Sequence, residues 1–228
     1  MIEHIPERVD RALLYLHSAR ASSAQLRPFL PLLIEGLPNT YIWAGDGVIG
    51  GAPQMRQGLR YGGDGPRFWF TFPMQDAATP ESFAVNVEAM GATLACCGAY
   101  VNAMADQLMA RFGIPAQRVV LAGFQHGSCA ALAAAMVRFG DPYAVTVLFE
   151  PYALETCYLK DELALPPTTV YCIENEHIRA RTRNWIGIET DVVLGSYGIA
   201  TQQITVPGGG DALDEAMVCA AIGVVGAL

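Results

Sequence analysis

Short apolar runs alternate with longer stretches of helical character along this chain. That is the layout of a mostly parallel sheet covered by helices. The first run, Ala12 to Leu16, reads as a buried strand, followed by a polar loop (His17 to Ser23) and a helix through Gln25–Glu35. Thr40–Ala44 and Arg67–Phe72 read as further strands, separated by a glycine-rich loop, Gly45 to Gly65, too long for a tight turn. Thr79-Pro80-Glu81 is a helix start, with an N-cap, a proline at the first helical position and an acid in the first turn. The helix it opens runs to about Phe112 and stops at Gly113-Ile114-Pro115.

The second half repeats the alternation. Arg118–Ala122 is a strand, turned by Gly123–Gly127 into an alanine-rich helix through Arg138. Ala144–Phe149 and Thr169–Ile173 are strands joined by a polar, proline-containing loop, and Arg179–Asp191 is read as helical. Gln202–Val206 is the last strand and Asp211–Val225 the last helix. No repeat or linker breaks the pattern, so residues 1–228 are expected to form one domain.

Composition agrees with a large core, because 52% of residues are hydrophobic and 16% charged. The net charge of −8 argues against nucleic acid and against an anionic membrane surface, both of which need clustered Lys and Arg. No apolar run reaches membrane-spanning length, and the polar start MIEHIPERVDR lacks the core of a signal peptide. The six cysteines form no CxxC pair, and four lie inside apolar runs, as expected of buried free thiols in a reducing compartment. A cytoplasmic protein is the expectation.

The strand-to-helix turn Gly123-Phe124-Gln125-His126-Gly127 carries most of the chemical information. A G-x-x-x-G turn of this kind allows either close strand–helix packing or a nucleophile elbow, where flanking glycines let a strained central residue stand above the sheet. The central residue here is Gln125, whose carboxamide exchanges hydrogen bonds but forms no acyl-enzyme.

This turn resembles the "GFSQG" of the phospholipase/carboxylesterase family of α/β hydrolases. Four further segments are similar, in the same order. Leu16-His17-Ser18 resembles "LHG", Leu37-Pro38-Asn39 resembles "LPn", Trp69-Phe70 resembles "WF", and Phe112-Gly113-Ile114-Pro115 resembles "lGip". The resemblance implies an α/β-hydrolase fold, a doubly wound sheet with helices on both faces. It also places the triad: nucleophile at Gln125, histidine at Asp211 within Gly208-Gly209-Gly210-Asp211, and acid at Glu176 if the loop after the strand is shortened, or Ile178 if it is not.

Neither Gln125 nor Asp211 can do the work its position implies, and none of the four histidines (His4, His17, His126 and His177) lies beyond residue 177. Asp211 also reads as the N-cap of the last helix. His17, Ser18 and His126 would line an oxyanion-type cleft, able to bind a small carbonyl or carboxylate ligand without cleaving it. His126 reads equally as a structural residue beside the turn. The expectation is a non-catalytic hydrolase relative that binds a ligand or partner. The alternatives are an enzyme rebuilt on Gln125, His126, Glu176 and Asp211, or one with Ser128 as a relocated nucleophile. No metal spacing is present and no cofactor is implied. The family resemblance also implies a homodimer, to which Phe68, Trp69 and Phe70 contribute a surface unless they fill the core, and it sets the Gly45–Gly65 loop near the substrate entrance, as a mobile segment or pocket rim or else as a plain surface loop.

Overall fold

The computed structural model describes residues 1–18, 21–47, 69, 80–138, 140–151, 168–176, 194–195, 198–208 and 212–228, with the side chains of 80–93 left aside. Seven strands form one sheet: β1 (Ile2–His4), β2 (Arg11–Leu16), β3 (Thr40–Gly45), β4 (Val119–Phe124), β5 (Val145–Phe149), β6 (Val170–Asn175) and β7 (Thr201–Val206). Their spatial order is β1-β3-β2-β4-β5-β6-β7. β1 pairs antiparallel with β3, and every other pairing is parallel. Among the described residues four α-helices accompany the sheet: α1 (Leu30–Gly36), α2 (Pro80–Phe112), α3 (His126–Met136) and α4 (Glu215–Gly226).

The central strands β2, β3, β4 and β5 are buried along nearly their whole length because both faces of the sheet are covered there. Along β2, Ala12, Leu14 and Leu16 join one core with Cys97, Val101 and Ala105 of α2 and the alanines of α3. Leu13 and Tyr15, one residue out of phase, join the other core with Leu33 of α1 and Met217, Val218 and Ala221 of α4. The period of two that sends successive side chains to opposite faces thus sorts one strand between two layers.

The long helix ends where the sequence stops it, at Gly113, whose φ of 66° is the left-handed region glycine enters without a Cβ penalty. Elsewhere the structure departs from expectation. The stretch expected as one helix over Gln25–Glu35 is a 3-10 helix, Ser23–Phe29, followed by α1. The reason is Pro31, which has no N–H to give the carbonyl four residues back, so the helix must restart around it. β1 was not foreseen; three residues carry too little pattern to be read as a strand.

The last helix begins at Glu215, and its N-cap is Asp214, whose carboxylate accepts the Met217 N–H at 2.9 Å. Asp211 is therefore not the cap, because the first turn starts one residue past the second of two candidate acids. Cys97, Cys129 and Cys172 are buried, whereas Cys96 and Cys219 are exposed. An apolar neighbourhood in sequence does not fix which side of a helix a residue occupies. The expected elements at 179–191 and 67–72, Trp69 excepted, and the Gly45–Gly65 loop past Gly47 lie outside the described residues, as do Asp211 and His177.

Candidate functional site

Parallel strands end together, and the carboxyl ends of β2, β4, β5 and β6 bring the candidate residues to one edge of the sheet. Ligands of open α/β sheets bind at such an edge. Phe124 pairs with Phe149, and Phe149 with Ile173, so Gln125, Glu150 and the Glu174-Asn175 pair leave adjacent strands at nearly the same height.

Gln125 occupies the apex of a strained turn, with φ 50° and ψ −107°. Its backbone N–H donates to Phe149 O at 2.8 Å, and its carbonyl accepts the Ser128 N–H at 2.9 Å. The two glycines are sterically obligatory. A Cβ on Gly123 would run into the Gly127 carbonyl, and a Cβ on Gly127 would run into Leu16 O and stand 2.6 Å from His17 O. The turn is thus an elbow, and the close-packing and elbow readings of G-x-x-x-G are both fulfilled in it.

The Gln125 side chain turns to a buried carboxylate. Its Nε2 donates to Glu150 Oε2 at 3.1 Å, while Asn175 Nδ2 donates to Glu150 Oε1 at 2.7 Å. Glu150 is only 2% exposed and also holds a left-handed backbone, φ 46°. Its backbone N–H continues the ladder to Ile173 O at 2.9 Å. Sequence reasoning missed both Glu150 and Asn175. The one available signal was a polar residue at the end of each of three consecutive apolar strands. Glu176, the expected acid, follows Asn175 directly and is exposed; the carboxylate that meets Gln125 comes from β5 instead.

The oxyanion-type cleft expected of His17, Ser18 and His126 is differently built. His17 is fully buried; its Nε2 accepts the Gly47 N–H at 2.9 Å and its Nδ1 lies 2.6 Å from Ser18 O. Because Nε2 accepts, the imidazole carries its proton on Nδ1 and donates it to Ser18 O. The Ser18 N–H donates to Gln25 Oε1 at 3.1 Å, and Gln25 Nε2 returns to Ser18 Oγ at 3.3 Å. Tyr15, whose phenol burial keeps protonated, donates to the same Gln25 oxygen at 2.9 Å. Ser18 is therefore closed onto the protein's own carboxamide rather than offered to a ligand.

His126 is 1% exposed, and its Nδ1 accepts the Trp69 backbone N–H at 3.4 Å. Trp69 is itself buried, donates Nε1 to His17 O at 2.9 Å, and lies with its ring centroid 5.1 Å from that of His17. The two histidines and Trp69 form one buried clamp, so Trp69 is not part of an exposed dimer surface. Ser128, considered as a relocated nucleophile, is 1% exposed and directs its hydroxyl to Gly123 O (2.6 Å) and Phe149 O (2.9 Å). Among the described residues its hydroxyl is bonded to main-chain carbonyls and to no base that would activate it.

On the far side, the loop after β7 approaches this edge: a Cβ on Gly208 (φ 153°) would stand 3.5 Å from Asn175 Cβ. Among the described residues no group of three or more His, Cys, Asp or Glu is placed to hold a metal ion, and no helix is long and apolar enough to cross a membrane.

No family model and no curated protein matches this chain. Solved structures do. Esterase PE8 superposes with a TM-score of 0.70 at 17% identity, over 99% of this chain and 97% of its own. Acyl-protein thioesterase 2 of Zea mays gives 0.64 at 13% identity, over 99% and 97%. YahD, solved with malic acid, gives 0.65 at 15% identity over the same shares. The chain has the α/β-hydrolase fold of these structures.

Proposed function

We propose that this protein is a hydrolase relative that has given up acyl transfer and uses the carboxyl edge of its sheet to bind a small polar ligand. The observation that carries this reading is the elbow itself. The strained apex that presents an attacking hydroxyl in a working enzyme holds Gln125, and its carboxamide is tied to the buried Glu150. A carboxamide is too weak a nucleophile to form an acyl-enzyme, so the scaffold is kept without the step it serves. The sequence adds the second loss, Asp211 in the place of the histidine. Residues 1–228 acting as one domain, a cytoplasmic location and pairing of two copies belong to the same proposal; light scattering at micromolar concentration tests the last.

The test is repair. Hydrolysis of short acyl esters is expected at background for the unmodified protein and for Gln125→Ser alone, because a serine without a neighbouring imidazole stays protonated. Gln125→Ser combined with Asp211→His is expected to exceed the product of the two single effects, as residues acting as a unit do. Substantial hydrolysis by the unmodified protein overturns the proposal.

A further inference from the structure

Three polar groups at the end of β2 and just past it close on one side chain. A main-chain N–H only donates, so the atom that the Ser18 N–H meets at 3.1 Å is the Gln25 carbonyl oxygen, Oε1. The Tyr15 hydroxyl reaches the same oxygen at 2.9 Å and therefore donates to it. Burial pushes the Tyr15 phenol up, which keeps that proton in place. The Gln25 amide nitrogen then faces Ser18 Oγ, at 3.3 Å, and donates in return. Two donors on one carbonyl oxygen, with an acceptor beside the nitrogen, form a full complement for a primary carboxamide.

Host and occupant differ in burial. Tyr15 is 1% and Ser18 8% exposed, whereas Gln25 is half-buried and reaches them from the 3-10 helix Ser23–Phe29. Rotation of the Gln25 side chain alone carries its carboxamide to water and leaves its main-chain bond to Ser22 O intact. The donors it leaves belong to the main chain and the core and cannot follow it. Tyr15 and Leu26, the residue after Gln25, also wall an apolar cavity of about 20 Å³ between the sheet, α1 and α4, together with Leu33, Ala122, Phe149 and Leu213. That volume exceeds the roughly 10–15 Å³ that a water-sized group needs, and an apolar wall keeps it dry. It suits a short aliphatic group.

We infer that Gln25 is a built-in stopper: it fills the place of the ligand's head group, and the ligand of this edge is an uncharged aliphatic carboxamide that binds by displacing it. The inference rests on the reading that this edge binds and does not cleave, and it names the ligand class and the residue that holds the pocket shut. The head is uncharged because the three contacts are neutral, and a carboxylate would leave water with no counter-charge among them. A stopper lowers apparent affinity by the fraction of time it occupies the site, so its removal strengthens binding.

The experiment titrates the unmodified protein with propionamide, and with propionate as the charged control of equal length. The Ser18 main-chain amide and the Gln25 side-chain amide are followed by two-dimensional NMR. Propionamide is expected to shift the Ser18 N–H saturably and to move the Gln25 amide to the position of a glutamine in water; propionate is expected to do neither. Gln25→Ala is expected to bind propionamide at least about tenfold more tightly than the unmodified protein. Tyr15→Phe, added to Gln25→Ala, is expected to weaken that binding about fivefold, the loss of one hydrogen bond to a neutral acceptor. Gln25→Ser serves if the alanine variant does not fold. A Gln25 amide unmoved at about 100 mM propionamide overturns the inference. So does a Gln25→Ala variant that binds no more tightly, binding indifferent to Tyr15→Phe, or equal binding of propionate. Ester hydrolysis by the unmodified protein would instead remove the reading beneath it, so the two failures are told apart.

Discussion

Gln125 and Glu150 meet at 3.1 Å through their side chains, and each holds a left-handed backbone, φ 50° and 46°, at the end of a neighbouring parallel strand. A non-glycine residue in that region costs on the order of 1–2 kcal/mol, so two such residues in contact persist only because their surroundings fix them. Glu150 is the centre of that constraint. Glu150→Ala would leave two buried amide donors without their carboxylate and should cost about 2–4 kcal/mol. Glu150→Gly loses the same bonds but relieves the backbone, and should be less destabilising by about 1 kcal/mol. Denaturant midpoints of the two variants check this; an alanine variant as stable as the glycine variant contradicts the strain argument.

The elbow glycines should tolerate nothing. Gly127→Ala drives a methyl group into the Leu16 carbonyl, which is main chain and cannot turn aside. A loss above about 4 kcal/mol is expected, which leaves a domain at the low end of ordinary stability close to unfolding. Circular dichroism of the purified variant, or its failure to accumulate, reads the outcome.

Two acids near the last helix separate cleanly. Asp214 caps it through the Met217 N–H, so Asp214→Ala should cost about 1 kcal/mol. Asp211→Ala should leave the cap intact. Equal losses from both would show that the cap has been misassigned.

The acid limb of the stability curve has an identifiable contributor. Burial alone would raise the pKa of Asp46, but the Ser23 N–H at 2.7 Å and the N-terminal ammonium at 3.2 Å outweigh it and hold the group below its usual 3.8. A carboxyl depressed in the folded state stabilises the protein above its unfolded pKa, and that stability is lost as pH falls through the folded value. Asp46→Asn should therefore lose a fraction of about 1 kcal/mol at neutral pH, since the site is partly exposed and screened. The difference from the unmodified protein should close below pH 3.8. Urea titrations at pH 7 and pH 3 measure it.

What the sequence revealed follows from how local each signal is. β2, β4 and β5 were legible because a strand buried on both faces must be a continuous apolar run. The elbow was legible because Gly123 is demanded by Gly127 close by in the chain, although Gly127 is itself demanded by Leu16 on the neighbouring strand β2. Glu150 and Asn175 were not, since each lies 25 residues from its partner and meets it only through the register of three parallel strands. In the chain Glu150-Pro151 looks like the start of a loop. Ser18 and His126 were placed in the right neighbourhood, but their partners, Gln25 and Trp69, are set by tertiary packing that no local pattern encodes.

The central claim, a hydrolase scaffold without acyl transfer, is met most directly by a fluorophosphonate probe, which becomes covalently attached only to an activated serine. Intact-protein mass spectrometry of the unmodified chain should show no adduct after prolonged exposure, because the elbow apex is Gln125 and Ser128 is locked between two main-chain carbonyls. A stoichiometric adduct that disappears in Ser128→Ala would contradict the account and make Ser128 the nucleophile of a working enzyme.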